Sequence, residues 1–295
     1  MAEEEFFQGN LEVRKALSNA LETHKPVLIG RISIGGEASI CDDFTRKQFP
    51  QLHIHQLINN AGILVRSVDD IRDYVLASLR AFQHSTLIGI WTDRRDWSPQ
   101  EFIVKAAKRP TIAAQALEPF YFLERGPGNN WMEPLRGQSV LVISPFADTF
   151  QRQIDSGNFA KAFAPGWFEG TTFSFIKPPV TLAGNHGNRT WQLHFKEFQA
   201  KLRQHIGAMD KKPAACLVSC GGYGMPVCDF LFTEMGLSAI YVGGALQLFF
   251  GVLGQRWTEN STIQKYVAAN PDAWTRPSEE ERPPNLQQVE RGCYW

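Results

Sequence analysis

An α/β fold with a largely parallel sheet and helices on both faces is what this sequence predicts. Short apolar runs of strand type alternate with helical spacing along most of the 295 residues. Several of these runs end abruptly in glycine: Ile34-Gly-Gly-Glu37, Cys220-Gly-Gly-Tyr-Gly224 and Val242-Gly-Gly244. Composition agrees, with 43% hydrophobic residues, 20% charged residues and a formal net charge of zero. That balance suits a substantial core and gives no reason to expect nucleic-acid or anionic-membrane binding.

In chain order, Leu11 to Glu22 has helical spacing, and Lys25-Pro26 ends it before a buried strand over Val27 to Ile32. The Ser67-Val-Asp-Asp70 sequence is a cap signal for a helix over Asp69 to Gln83, and Thr86 to Trp91 is the next strand. Thr111 to Leu123 is apolar and ambiguous between strand and helix, with Glu118 and Pro119 inside it. Gly126 to Asn130 is a loop. Ser139 to Ile143 is a strand, followed by the Ser144-Pro-Phe-Ala-Asp-Thr149 turn and a helix through Gln153. Thr171 to Ile176 is a further strand, and Trp191 to Ile206 a helix stopped by Gly207.

The densest signal lies at Pro213 to Trp257. A strand over Ala215 to Ser219 leads through Gly221, Gly222 and Gly224 into a helix with Pro226 in its first turn and Gly236 as its stop. A second strand, Ser238 to Val242, leads through Gly243 and Gly244 into another apolar helix. The first N–H groups of a helix lack intrahelical partners and favour an anion, and glycine lets a ligand approach the backbone. The third glycine of a dinucleotide fingerprint is missing, so these are either tight turns of a parallel sheet or the cradle of a phosphate-bearing ligand.

At the ligand-side edge of such a sheet, Tyr223 and Trp257 offer faces for a base or sugar, and Arg256 offers a bidentate clamp for a diphosphate. Glu37 and Asp148 are the carboxylates best placed as base or metal contact, or as helix caps. No D-x-D or D-x-E sequence occurs. His53 and His55, two apart in a strand-like LHIHQL, share a face and suggest a metal pair without a third ligand. His186 is a lone loop histidine. Five cysteines, with no C-x-x-C pair, suggest reduced thiols and a cytoplasmic setting; Cys220, before a helix, reads as a packed thiol in preference to a nucleophile.

The longest apolar segment, Ala245 to Leu253, is too short to span a bilayer, and the acidic MAEEEFF start is unlike a signal peptide. One domain is expected over 1–275, or two Rossmann-like halves at roughly 1–130 and 131–275. Residues 276–295 read as a flexible connector and tail: Arg276 to Pro284 is polar and proline-rich, while Val289 to Trp295 regains apolar character that suits docking back onto the body.

The block Gly243-Gly-Ala-Leu-Gln247, continuing to Phe250-Gly251, Gly254 and Arg256-Trp257, resembles a family signature G-G-A-L-Q-x-x-F-G-x-x-G-x-R-W. Ile29 to Glu37, Asn60-Ala-Gly-Ile63, Leu135-Arg-Gly137, Val140 to Thr149 and Gly292-Cys-Tyr-Trp295 fit the same family. More distantly, the layout is similar to glycosyltransferases of the GT-D fold, which carry an R-F-G-D-G-E turn after an early strand. Arg31 matches that arginine and Glu37 its glutamate, while Gly35 stands where the aspartate is found. The resemblance implies a GT-D-like, Rossmann-like fold and a uridine- or guanosine-linked nucleotide-sugar donor. Arg31, Gly35, Gly36, Ser144, Gly222, Tyr223, Gly224, Gly243, Gly244, Gln247, Arg256 and Trp257 would hold the donor, and Glu37 or Asp148 would serve the chemistry. The acceptor would be a glycan or another hydroxyl, and Glu37 is the best ligand for a Mn or Mg ion. A non-catalytic nucleotide- or sugar-binding protein, another Rossmann-type enzyme and a structural role are the alternatives.

Overall fold

A computed structural model of the chain describes residues 2–163, 166 and 168–295. Among these residues, strands β1 (Leu28–Arg31), β2 (Leu87–Ile90), β3 (Thr111–Ala113), β4 (Ser139–Ile143), β5 (Thr172–Ile176), β6 (Ala215–Val218) and β7 (Ala239–Tyr241) form one sheet. Its order is β3-β2-β1-β7-β6-β4-β5, and every pairing is parallel. The helices are α1 (Ala2–Thr23), α2 (Glu37–Arg46), α3 (Gln51–Asn59), α4 (Val68–His84), α5 (Ser98–Ala107), α6 (Ala147–Asp155), α7 (Trp191–Gly207), α8 (Gly224–Thr233), α9 (Leu246–Phe249) and α10 (Ser261–Ala269).

Strand side chains alternate between two cores, as a period of two requires. Leu28, Ile88, Leu141, Ile143, Cys216 and Val218 face the core built with α2–α5, α7 and α8. Ile29, Leu87, Val140, Val142, Ala215 and Leu217 face the core built with α1, α6, α9 and α10. This is a Rossmann-like α/β architecture in the broad sense, with helices on both faces. The chain leaves β1 towards the first core and leaves the neighbouring β7 towards the second. The crevice between diverging exits is where open parallel sheets receive ligands.

Two expectations change and one ambiguity is resolved. The LHIHQL stretch is helical, inside α3: Ile54, Leu57 and Ile58 take the three-and-four spacing that packs on the first core. Two residues apart on a helix face nearly opposite ways, so His53 and His55 form no pair; His53 Nδ1 instead meets Asp43 Oδ2 at 2.6 Å. The apolar run after Gly244 makes only the four-residue α9, because Gly251 turns the chain at φ 67° and Val252 then bridges to Thr275. The ambiguous run over Thr111 to Leu123 is β3 followed by two 3₁₀ segments, Ala114–Leu117 and Pro119–Arg125.

The stretch over Arg276 to Pro284, read from composition as a flexible connector, lies against the body through Glu281, and the apolar end from Val289 to Trp295 docks there too. Glu281 and Val289 are buried, as is the Trp295 side chain.

Candidate functional site

Arg31, the last residue of β1, is only 7% exposed, which an arginine tolerates only when its charge and donors are matched. Its Nη2 meets Glu118 Oε1 at 2.9 Å, its Nη1 donates to the Val242 carbonyl at 2.6 Å, and its guanidinium lies 4.7 Å from the Trp91 ring centre. Trp91 in turn donates its indole N–H to the Ile32 carbonyl at 2.7 Å. The exits of β1, β2 and β7 are thereby tied to the 3₁₀ segments after β3.

Beyond Arg31 the chain turns through Gly36, at φ 112°, where a Cβ would stand 2.6 Å from the Leu57 amide nitrogen. Only glycine fits there, and α2 begins directly after it with Glu37 in its first turn.

The glycine turn after β6 serves a different purpose from the one its sequence suggests. The Gly222 N–H donates to the Ala61 carbonyl at 2.9 Å, and a Cβ there would meet Ile63 at 2.4 Å. A Cβ on Gly224 would meet the Tyr241 ring at 2.2 Å. Protein groups fill the close approach that these glycines permit. The Tyr74 hydroxyl donates to the Gly222 carbonyl at 2.9 Å and the Tyr241 hydroxyl to the Gly221 carbonyl at 3.0 Å, which fixes the turn.

The turn after β7 opens onto the crevice. Gly243 adopts φ 71° beside Arg31, and Gly244 accommodates the Tyr294 ring, which a Cβ would meet at 2.4 Å. Arg256 Nη1 donates to the Tyr294 hydroxyl at 3.1 Å, and its guanidinium lies 5.0 Å from that ring's centre. Gln247, 1% exposed, sits behind this lip and donates to the carbonyls of Val252 and Tyr294, both at 3.3 Å.

These elements enclose a cleft of about 390 Å³ on the C-terminal edge of the sheet. Of the residues singled out from sequence, Arg31, Gly35, Glu37 and Tyr223 line it from the β1 and β6 side, and Gly243, Gly244, Arg256 and Trp257 from the β7 side. Gly36, Ser144, Gly222, Gly224 and Gln247 support its walls from behind. Ser144, 1% exposed, accepts the Phe146 N–H at 3.2 Å. Asp148 stands away from the cleft lining at the start of α6, where its carboxylate pairs with Lys177. His186 accepts the Asn188 N–H in its own loop, and burial depresses its basicity, helped by Arg66 and His194.

Trp91, Gln115, Glu118 and Tyr121 also line the cleft, and sequence reasoning did not select them. The one available signal was Glu118, the only charged residue in the mainly apolar run over Thr111 to Leu123. Burial, and next the Glu118 charge, push the Tyr121 phenol up to about 12. Burial likewise raises the Tyr223 and Tyr241 phenols, and Glu37 adds to the effect at Tyr241. All three remain protonated hydrogen-bond donors at neutral pH. The Cys220 thiol, raised strongly by burial alone, is unsuited to nucleophilic attack.

Among the described residues no group of three His, Cys, Asp or Glu side chains converges to hold a metal ion. The two carboxylates that line the cleft are Glu37 and Glu118, and Glu118 is engaged by Arg31, so this donor set does not fit a clamp of several free carboxylates on a divalent metal. Among the described residues no helix is long and apolar enough to cross a membrane. Comparison with known protein families, curated proteins and solved structures finds no match for this chain.

Proposed function

We propose that the cleft binds a nucleotide-sugar donor, uridine- or guanosine-linked, and that the protein transfers the sugar to an acceptor hydroxyl. The observation that carries this reading is the meeting of two distant segments. The Arg31–Glu37 turn and the Gly243–Gly244 turn with Arg256 line one crevice at the C-terminal edge of a parallel sheet. Aromatic faces at Trp257 and Tyr294 suit a base. Arg256, at the lip, suits the diphosphate, whose developing negative charge in the transition state needs a positive partner. Glu37, in the first turn of α2, is the general base on the acceptor hydroxyl. The cytoplasm is the compartment that fits a soluble donor of this kind.

A second reading, a nucleotide-binding protein without turnover, is favoured by one observation. Arg31 is already neutralised by Glu118, so its charge is not available to a leaving diphosphate.

Donor turnover against a panel of nucleotide sugars, with Glu37→Gln alongside, separates the two. Transfer requires wild-type turnover and a loss of at least about a hundredfold in Glu37→Gln, with donor affinity kept. Calorimetric binding with no turnover in either protein selects the second reading. Absence of both binding and turnover refutes both.

A further inference from the structure

One wall of the cleft comes from residues 276–295, which supply Val289, Tyr294 and Trp295 to its lining. Between Arg276 and Gln288 the sequence holds a single large aliphatic side chain, Leu286, which is half-buried, and the other apolar burial there comes from Pro277 and Pro283. The polar anchor of that stretch is a carboxylate. The Glu281 side chain is 0% exposed, and its Oε1 accepts the N–H groups of Asp148 at 2.9 Å and Thr149 at 3.3 Å, in the first turn of α6. Its Oε2 accepts the hydroxyls of Thr149 and, at 3.3 Å, of Ser278, and Lys177 Nζ stands 3.7 Å away. A negative charge on unsatisfied N–H groups at a helix start offsets the cost of burying it.

The same residue is coupled to the cleft wall, since its carbonyl accepts the Trp295 indole N–H at 3.0 Å. Upstream the segment is anchored at Thr275, which exchanges hydrogen bonds with Gly251 at 2.9 Å and Leu253 at 2.8 Å.

We propose that residues 276–295 are a strap over the cleft, hinged beyond Thr275 and latched by Glu281, whose release opens the wall formed by Tyr294 and Trp295. Glu281 is thus a positioning residue for the site, acting from outside it. Outside that cluster the segment is tied by single hydrogen bonds to its carbonyls, from Asn185 to Pro284 and Asn59 to Gln288, both at 2.9 Å, and from the Arg256 N–H to Cys293 at 3.0 Å, so it opens at lower free energy than the sheet it covers. The identity of the ligand that enters rests on the nucleotide-sugar reading; the strap itself does not.

The thiols report the opening. Cys41, Cys216, Cys220 and Cys228 are buried, and Cys293, within the strap, is half-buried. Maleimide labelling of the unliganded protein, resolved by mass spectrometry, is expected to modify Cys293 about tenfold faster or more in Glu281→Gln than in wild type. Cys41, Cys216 and Cys228, which lie outside the cleft lining, stay unmodified over that time, and Glu280→Gln, on an exposed neighbour, labels at the wild-type rate. An unchanged Cys293 rate in Glu281→Gln overturns the proposal. Simultaneous labelling of all five thiols overturns it too, because the segment is then part of the global fold. With the latch upheld, saturating uridine diphosphate slows Cys293 labelling in wild type if the ligand assignment holds. A rate insensitive to it, and to guanosine diphosphate, counts against the nucleotide reading and leaves the strap standing.

Discussion

Arg31 Nη2 and Glu118 Oε1 lie 2.9 Å apart, each side chain less than 10% exposed, at the point where the exits of β1, β2 and β7 converge. The pair joins residues far apart in the chain, and its partners each have further tasks: Arg31 also holds the Val242 carbonyl, ahead of the Gly243 turn. Removing one partner of such a pair strands a buried charge, which costs far more than the pair contributes as a pair.

Glu118→Ala is therefore expected to lower unfolding stability by about 3–5 kcal/mol, measured by urea denaturation at neutral pH. Glu118→Gln keeps an acceptor for Arg31 and costs less. A loss below about 1 kcal/mol in Glu118→Ala would show that water reaches Arg31 and that the pair is not shielded.

The glycines divide into those that make room and those that do not. Gly224→Ala would drive a methyl group into the Tyr241 ring, with a nominal separation of 2.2 Å, and is expected to destabilise by about 1–3 kcal/mol. Gly207→Ala, at the last residue of α7 with nothing within 4 Å of the added methyl, is expected to be neutral or stabilising by up to about 1 kcal/mol. Thermal denaturation of the two variants side by side checks the contrast; a destabilised Gly207→Ala with an unaffected Gly224→Ala contradicts it.

Acid sensitivity has an identifiable contributor in the capping box of α4. Partial burial works to raise the Asp70 carboxyl, but the Arg66 N–H, the Gln192 amide and Ser67 outweigh it and hold it below the usual value. A folded-state value below the unfolded one means a contribution fully present above about pH 3.9 and lost as pH falls further, through the folded value. Asp70→Asn is expected to cost about 1 kcal/mol at pH 7 and to converge on wild type near pH 2. Urea midpoints followed across that range test it, and a constant difference at all pH values rejects the assignment.

Local signals carried most of the architecture. The run at Ser139–Ile143 became β4 residue for residue, because a strand buried in a parallel sheet has few other ways to be written, and Thr171–Ile176 became the half-buried edge strand β5 through its alternating phenylalanines. The helix α3 was misread because Leu52 and Ile54 alternate with His53 and His55 over too few residues to distinguish a period of two from 3.6. The crevice was legible only in outline. Gly243 carries its own conformational signature, whereas the partnership of Arg31 with Glu118, or of Glu281 with the start of α6, joins residues 87 and more than 130 apart. Nothing in either neighbourhood announces the other. Gly222 and Gly224 mislead for a related reason: a glycine records that something comes close, without recording whether that is a ligand or Tyr241.

The register of β1 against β7 sets a condition on how the protein comes into being. Leu28 and Ile29 align with Ala239 and Ile240, and Arg31 reaches the Val242 carbonyl across 211 positions of sequence. Neither contact exists while the chain is still being made up to β7, which at 5–20 residues per second takes about 10–40 s after β1 emerges. During that interval the edge of β1 that will meet β7 has no partner, and the Arg31 end of the crevice lacks its opposite lip. Closure of this seam is the long-range step, and it brings the two sides of the cleft together in the same event that completes the sheet.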